Sequence, residues 1–143
     1  MSYEVDPKLD LYVKAVLGKK AYQVAVLDVH TLTSFTDVFI ICCGRSNRQV
    51  QAIAEFVQEE LRKHKIKPLS VEGETEGHWI LLDYGHVIIH VFYESVRKFY
   101  DLEGLWTDAK RIKTESLMNA EGDDPSQSGD WEDEEEDFEA EIL

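Results

Sequence analysis

Cysteine is scarce in this chain of 143 residues: two residues, Cys42 and Cys43, adjacent to one another. That spacing supports neither a disulfide framework nor a zinc knuckle, and a reducing compartment is the expectation. No run of 18 apolar residues occurs, which excludes a membrane-spanning helix. The opening Met1-Ser2-Tyr3-Glu4-Val5-Asp6 lacks the basic end and apolar stretch of a secretory signal, so the expected location is cytoplasmic. Basic residues are absent from the last stretch: residues 115–143 hold 13 acids and no Lys or Arg. The formal net charge is −14 over the whole chain, yet residues 1–114 carry 16 acids and 15 bases. The expected organisation is a nearly neutral domain, 1–114, followed by an acidic disordered tail, 115–143, too polar to bury a core of its own.

Apolar residues make up 43% of the chain, enough for one core. Asp6-Pro7 reads as a helix start, followed by Leu9, Tyr12, Val13, Val16 and Leu17 at helical spacing, with Gly18 as the stop. Val24–Val29 and Asp37–Cys43 read as strands, the second apolar on both faces and therefore central. Ser46-Asn47-Arg48-Gln49 is a capping box opening a helix that runs to about His64, with Val50, Ile53, Ala54, Val57 and Leu61 as its apolar stripe. A short strand at Leu69–Val71 comes next, then a loop over 72–77. A hairpin pairs Trp79–Tyr84 with Val87–Phe92, and Ser95–Leu102 reads as a short helix or turn. The order α-β-β-α-β-β-β with hairpins predicts an α/β (α+β-like) mixed-sheet sandwich rather than a doubly wound fold.

The chemistry-bearing residues form no strong constellation. His86 and His90, read in one strand, share a face about 13 Å apart, too far for one zinc ion. His90 is expected in the core with a hydrogen-bond partner, and the two cysteines as small core residues on opposite faces. Asp28, Asp37, Asp83 and Asp101 form no close Asp-x-Asp pair. The turn Gly44-Arg45-Ser46 between a strand and a helix offers amides to a phosphate but matches no phosphate-loop pattern. It defines the alternative function, a nucleotidyltransferase-type enzyme. A near-neutral body argues against direct nucleic-acid recognition. What remains is a concentration of aromatics, including Trp79, Tyr84, Phe92, Phe99, Tyr100 and Trp106, more than a small body hides.

The blocks Phe35–Cys42, Gly44–Ala54, Glu72-Gly73, Trp79–Gly85, His90–Phe92 and Phe99–Glu103, in that order, resemble the ribosomal silencing factor (Iojap) family over roughly residues 6–110. The resemblance implies a compact fold similar to nucleotidyltransferases but without catalytic machinery, and no cofactor or metal. It implies binding to the large ribosomal subunit through its ribosomal protein number fourteen, steric blocking of subunit joining and repression of translation when nutrients are short. It also implies a homodimer when free, and places the ribosomal-protein contact at Trp79, Leu82, Asp83 and Tyr84. Strand alternation divides those four: Trp79, Leu81 and Asp83 share one face, while Ile80, Leu82 and Tyr84 share the other, and one set is expected to be core. Gly104 and the acidic tail depart from the family pattern.

Overall fold

A computed structural model describes residues 7–121. Asp6 and the acidic stretch beyond 121, which holds most of the expected disordered tail, lie outside the described residues, but the first helix opens at Leu9 with Lys8 in the cap position, two residues later than the expected Asp6-Pro7 start. The elements are α1 (Leu9–Leu17), β1 (Tyr22–Asp28), β2 (Val38–Gly44), α2 (Asn47–Lys63), β3 (Ser70–Glu72), β4 (Trp79–Asp83), β5 (Val87–Tyr93), α3 (Glu94–Tyr100), α4 (Leu102–Leu105), β6 (Lys110–Arg111) and α5 (Glu115–Glu121). The expected α-β-β-α-β-β-β order is present, and the segment after it adds three short helices and a sixth strand.

One mixed sheet runs in the order β3-β4-β5-β2-β1-β6. β2 and β5 pair in parallel, and every other neighbouring pair is antiparallel. All seven residues of β2 are buried. This is the expected consequence of a central strand with both faces covered. Cys42 joins the core beneath the helices, whereas Cys43 packs with Tyr22 on the opposite face.

The sequence pattern of α2 explains its position. Val50, Ile53, Ala54, Val57 and Leu61 are all buried. Each larger member contributes about 1.5–3 kcal/mol of burial. At the helix start, Ser46 Oγ accepts from the Gln49 amide at 3.0 Å. The return half of the capping box shifts by one residue: Gln49 Oε1 accepts from the Arg45 amide at 2.6 Å rather than from that of Ser46. Gln49 Nε2 also donates to the carbonyls of Lys19 and Lys20, both at 3.2 Å, and ties the α1–β1 junction to α2. Gly18 does end α1, but with φ −69°. Its requirement is space: a Cβ there would stand 2.0 Å from the Phe56 ring of α2.

Two elements correct the expected boundaries. β6 is two residues long and pairs Arg111 with Leu27 and Lys110 with Asp28. α5 lies beyond the expected boundary after residue 114 and packs on α1. Leu117 is buried in the main core, and Asp10 of α1 accepts from Ser116 through its amide (3.0 Å) and hydroxyl (2.6 Å). Burial pushes the Asp10 carboxyl up, but hydrogen bonds from Ser116 and Thr114, with Lys14 nearby, outweigh it and hold it below the ordinary value. The folded unit therefore reaches past 114 because the buried Leu117 and the two bonds from Ser116 to Asp10 fasten this helix.

The two faces of the sheet are covered unequally. α1 and α2, with Leu117 of α5, cover Val26, Val38, Ile40, Ile80, Leu82, Val87, Ile89 and Val91. The other face carries Leu27, Phe39, Ile41, Ile88 and Phe92. Among the described residues, Val96 of α3, Leu102 of α4, and Trp106 and Ala109 from the turn between α4 and β6 pack against it, with Trp79 and Leu81 beside them.

Candidate functional site

The thinly covered face is where side chains remain available. Along β4, Trp79, Leu81 and Asp83 are half-buried while Ile80 and Leu82 are buried. Strand alternation places the first three outward in one row. The register then fixes their neighbours. Phe92, His90 and Ile88 of β5 lie opposite Trp79, Leu81 and Asp83. On the other flank, Glu72 and Ser70 of β3 lie opposite Leu81 and Asp83. Both are exposed. The outward row thus has an aromatic border on the β5 side and a polar border, carrying one carboxylate, on the β3 side.

Trp79 is held from several directions. Its ring stacks on Phe92, with centroids 4.9 Å apart and planes at 27°, and leans on Tyr100 at 5.0 Å. Its indole Nε1–H donates to His90 Nδ1 at 3.1 Å. The loop before β4 depends on Gly73, at φ +84°, where a Cβ would come within 2.1 Å of the Trp79 carbonyl oxygen. Asp83 Oδ1 accepts from the Gly85 amide at 2.8 Å, which folds the carboxylate over the hairpin turn.

The aromatic contacts continue in both directions. Phe39 packs edge-on to His90 (5.0 Å) and Trp106 (5.2 Å), and Phe35 lies 6.2 Å from Phe39. Beyond Trp79, Tyr100 meets Phe99 at 5.2 Å. The ends of this chain of rings reach solvent: Phe35 is 62% exposed and Phe99 81%. Together with Trp79 and Leu81 they form an apolar ledge of the kind that marks a protein interface.

Of the four residues named for partner contact, Trp79 and Asp83 lie on this face. Leu82 and Tyr84 do not, which corrects their expected place. Both point into the layer beneath α1 and α2: Leu82 is fully buried, and Tyr84 packs edge-on to Tyr12 with centroids 5.5 Å apart. Burial pushes the Tyr84 phenol up to about 12. The physical reason is alternation, since a helix-covered face takes every second residue of β4. Leu81, which shares the parity of Trp79 and Asp83, belongs in the row in place of Leu82, and that shared parity is the signal that identifies it. Glu72 becomes a neighbour only through the β3–β4 register.

Several other candidate polar groups are internally engaged. His90 is buried, and burial lowers its pKa to about 4, so the imidazole is neutral at physiological pH. His86 lies in the hairpin turn with its ring 5.8 Å from Tyr12, on the helix-covered side; the expected common face with His90 is not formed. In the Gly44-Arg45-Ser46 turn, the amides of Arg45 and Gln49 are bonded to the Gln49 and Ser46 side chains, and the Val50 amide donates to the Ser46 carbonyl. Asp28 is bonded to His30, and Asp101 accepts from the Gly104 amide. Among the described residues no group of three or more His, Cys, Asp or Glu is placed to hold a metal ion. Nor is any helix there long and apolar enough to cross a membrane.

Arg97, on α3, anchors the helices that border the ledge. Its guanidinium is buried and donates to Glu103 Oε1 at 2.7 and 2.9 Å, to Cys43 Sγ at 3.1 Å and to the Gln23 carbonyl. Gln23 sits at φ +49° where the β1–β2 register slips. This bulge turns its carbonyl toward the arginine.

Comparison with known proteins agrees with this architecture. A family model described as ribosomal silencing factor during starvation matches residues 3–140. A protein of Halalkalibacterium halodurans named ribosomal silencing factor RsfS is 39% identical over 111 residues, covering 78% of this chain and 95% of the relative. A mouse protein named mitochondrial assembly of ribosomal large subunit protein 1 is 28% identical over 102 residues, 69% of this chain and 45% of its own length. The crystal structure of a Chromobacterium violaceum protein superposes with a TM-score of 0.70 at 34% identity, covering 79% of this chain and 93% of that one. The chain therefore belongs to the ribosomal silencing factor family.

Proposed function

We propose that this chain binds the large ribosomal subunit through its ribosomal protein number fourteen, with the outward row Trp79, Leu81 and Asp83 as the contact. The observation that carries the reading is the continuity of that row with an exposed apolar ledge on the thinly covered face of the sheet. Trp79 supplies apolar area already fixed by Phe92 and Tyr100, the property of an interface anchor. Asp83 and Glu72 supply carboxylates at the edge, suited to charge-assisted bonds from Arg or Lys of a basic ribosomal protein. Leu82 and Tyr84 act from below, holding the strand against the helices. The relatives named as silencing factors, and the mouse relative named for assembly of the large subunit, support a ribosomal partner.

Silencing on this reading is steric. A body of this size seated on the joining surface excludes the small subunit and represses translation under nutrient limitation without chemical turnover. The test is sedimentation of purified large subunits with the protein. Wild type travels with the subunits, and Trp79→Ala loses at least tenfold in affinity while keeping its circular dichroism spectrum. Folded Trp79→Ala that co-sediments at wild-type strength removes Trp79 from the contact.

A further inference from the structure

His90 presents a puzzle of energetics. It is buried between Phe39, Trp79 and Phe92, with ring centroids at 5.0, 5.9 and 6.1 Å. Its Nδ1 accepts the Trp79 indole N–H, which places the ring proton of the neutral imidazole on Nε2. Nε2 is buried without a hydrogen-bond partner. A buried donor left unmatched is a net cost, and a hydrocarbon ring of similar shape avoids it. Core stability therefore does not account for a histidine at this position. Of what imidazole supplies and phenylalanine lacks, the group that is used is Nδ1, an acceptor for the indole.

We infer that His90 is a positioning residue, fixing the indole of Trp79 in the single orientation that the outward face presents to its partner. The inference rests on the docking role proposed for Trp79. An indole on a strand has several staggered rotamers and two flips of the ring. Stacking on Phe92 restrains the plane but does not choose between ring flips, because either flip offers a π-face. The hydrogen bond at 3.1 Å does choose: only one flip aims Nε1–H at Nδ1. Cross-strand pairing of His90 with Leu81 places the imidazole beside the middle of the row, next to both apolar residues. Binding to a preorganised anchor avoids the entropy of ordering it at the moment of association.

Three variants test the assignment: His90→Phe, which keeps the ring and removes the acceptor; His90→Asn, whose carboxamide offers an acceptor near the Nδ1 position; and His90→Phe combined with Trp79→Phe. Three quantities are measured: stability to urea, the ¹H–¹⁵N resonance of the Trp79 indole (assigned by its loss in Trp79→Phe), and affinity for purified large subunits. His90→Phe is expected to be at least as stable as wild type, to shift the Trp79 indole N–H toward the free-indole position, and to bind about five- to tenfold more weakly. His90→Asn recovers most of the affinity, and His90→Phe adds nothing on the Trp79→Phe background. A folded His90→Phe that binds as wild type while Trp79→Ala is weakened overturns the positioning role and leaves the docking reading standing. Wild-type binding by both variants overturns both. Should His90→Phe fail to fold, the wild-type spectrum decides: a Trp79 indole N–H that exchanges as freely as a solvent-exposed one overturns the assignment.

Discussion

Arg97 shows how much one side chain can hold. Its guanidinium joins α3 to the α4 segment through Glu103 and to the β1 bulge through the Gln23 carbonyl, with Cys43 beneath. Arg97→Met keeps the stem and removes the charge, leaving a carbonyl and a thiol without this donor and Glu103 with the more exposed Arg111. The expected loss is about 3 kcal/mol, read as a lower urea midpoint. His90 carries a second prediction at this scale. Its folded pKa of about 4 lies below the ordinary 6.5 because burial disfavours the imidazolium. The unfolded chain takes up the proton first as pH falls, so stability present above pH 6.5 is lost on descending to about 4. The total is about 3 kcal/mol, measured as the difference in pH dependence between wild type and His90→Phe. Individual residues were legible to different degrees. That His90 is core with a partner follows from its apolar neighbours in sequence. That the partner is Trp79 requires the β4–β5 register, which local pattern does not contain.

Among the elements, α2 and β2 were the most legible, because each carries its whole signal locally: a capping box with an apolar stripe, and a continuous apolar run. β6 and α5 were not, for opposite reasons. β6 is two exposed residues whose identity as a strand comes entirely from pairing with Leu27 and Asp28. α5 is polar apart from Leu117, Met118 and Ala120, and its acidic start resembles the segment after it, so charge composition set the boundary too early. The structure makes α5 a stabilising element. Removing residues 115–143 exposes the core site of Leu117 and strips Asp10 of its two bonds. A chain ending at Thr114 is therefore expected to unfold about 2–3 kcal/mol more easily than one ending at Glu121, with Leu117→Ala in the full chain accounting for most of it. At the other helix junction, Gly18→Ala forces a methyl group into the Phe56 ring. It should cost about 1–3 kcal/mol, because the side chain, the helix or both must move. β4 illustrates the limit of pattern reading: alternation divides it into two sets without saying which one the helices cover.

At the scale of the molecule, the decisive feature is asymmetry. Among the described residues, α1 and α2 cover one face of the sheet, while short helices leave the other partly bare, with an aromatic ledge exposed. On the proposed docking reading, a near-neutral body relies on shape and apolar area for its contact, with Asp83 of β4 and Glu72 of β3 setting the sign of the partner's charge. The most direct check of the docking face compares two charge changes on opposite sides of the sheet. Leu81→Lys places a cation in the middle of the outward row, and Glu55→Arg changes an exposed residue of α2. Both are titrated against purified large subunits after their folded spectra are matched to wild type. Loss of binding by Leu81→Lys with Glu55→Arg unaffected is the predicted result. Retention of binding by Leu81→Lys with loss in Glu55→Arg would place the ribosome on the helical side and contradict the account.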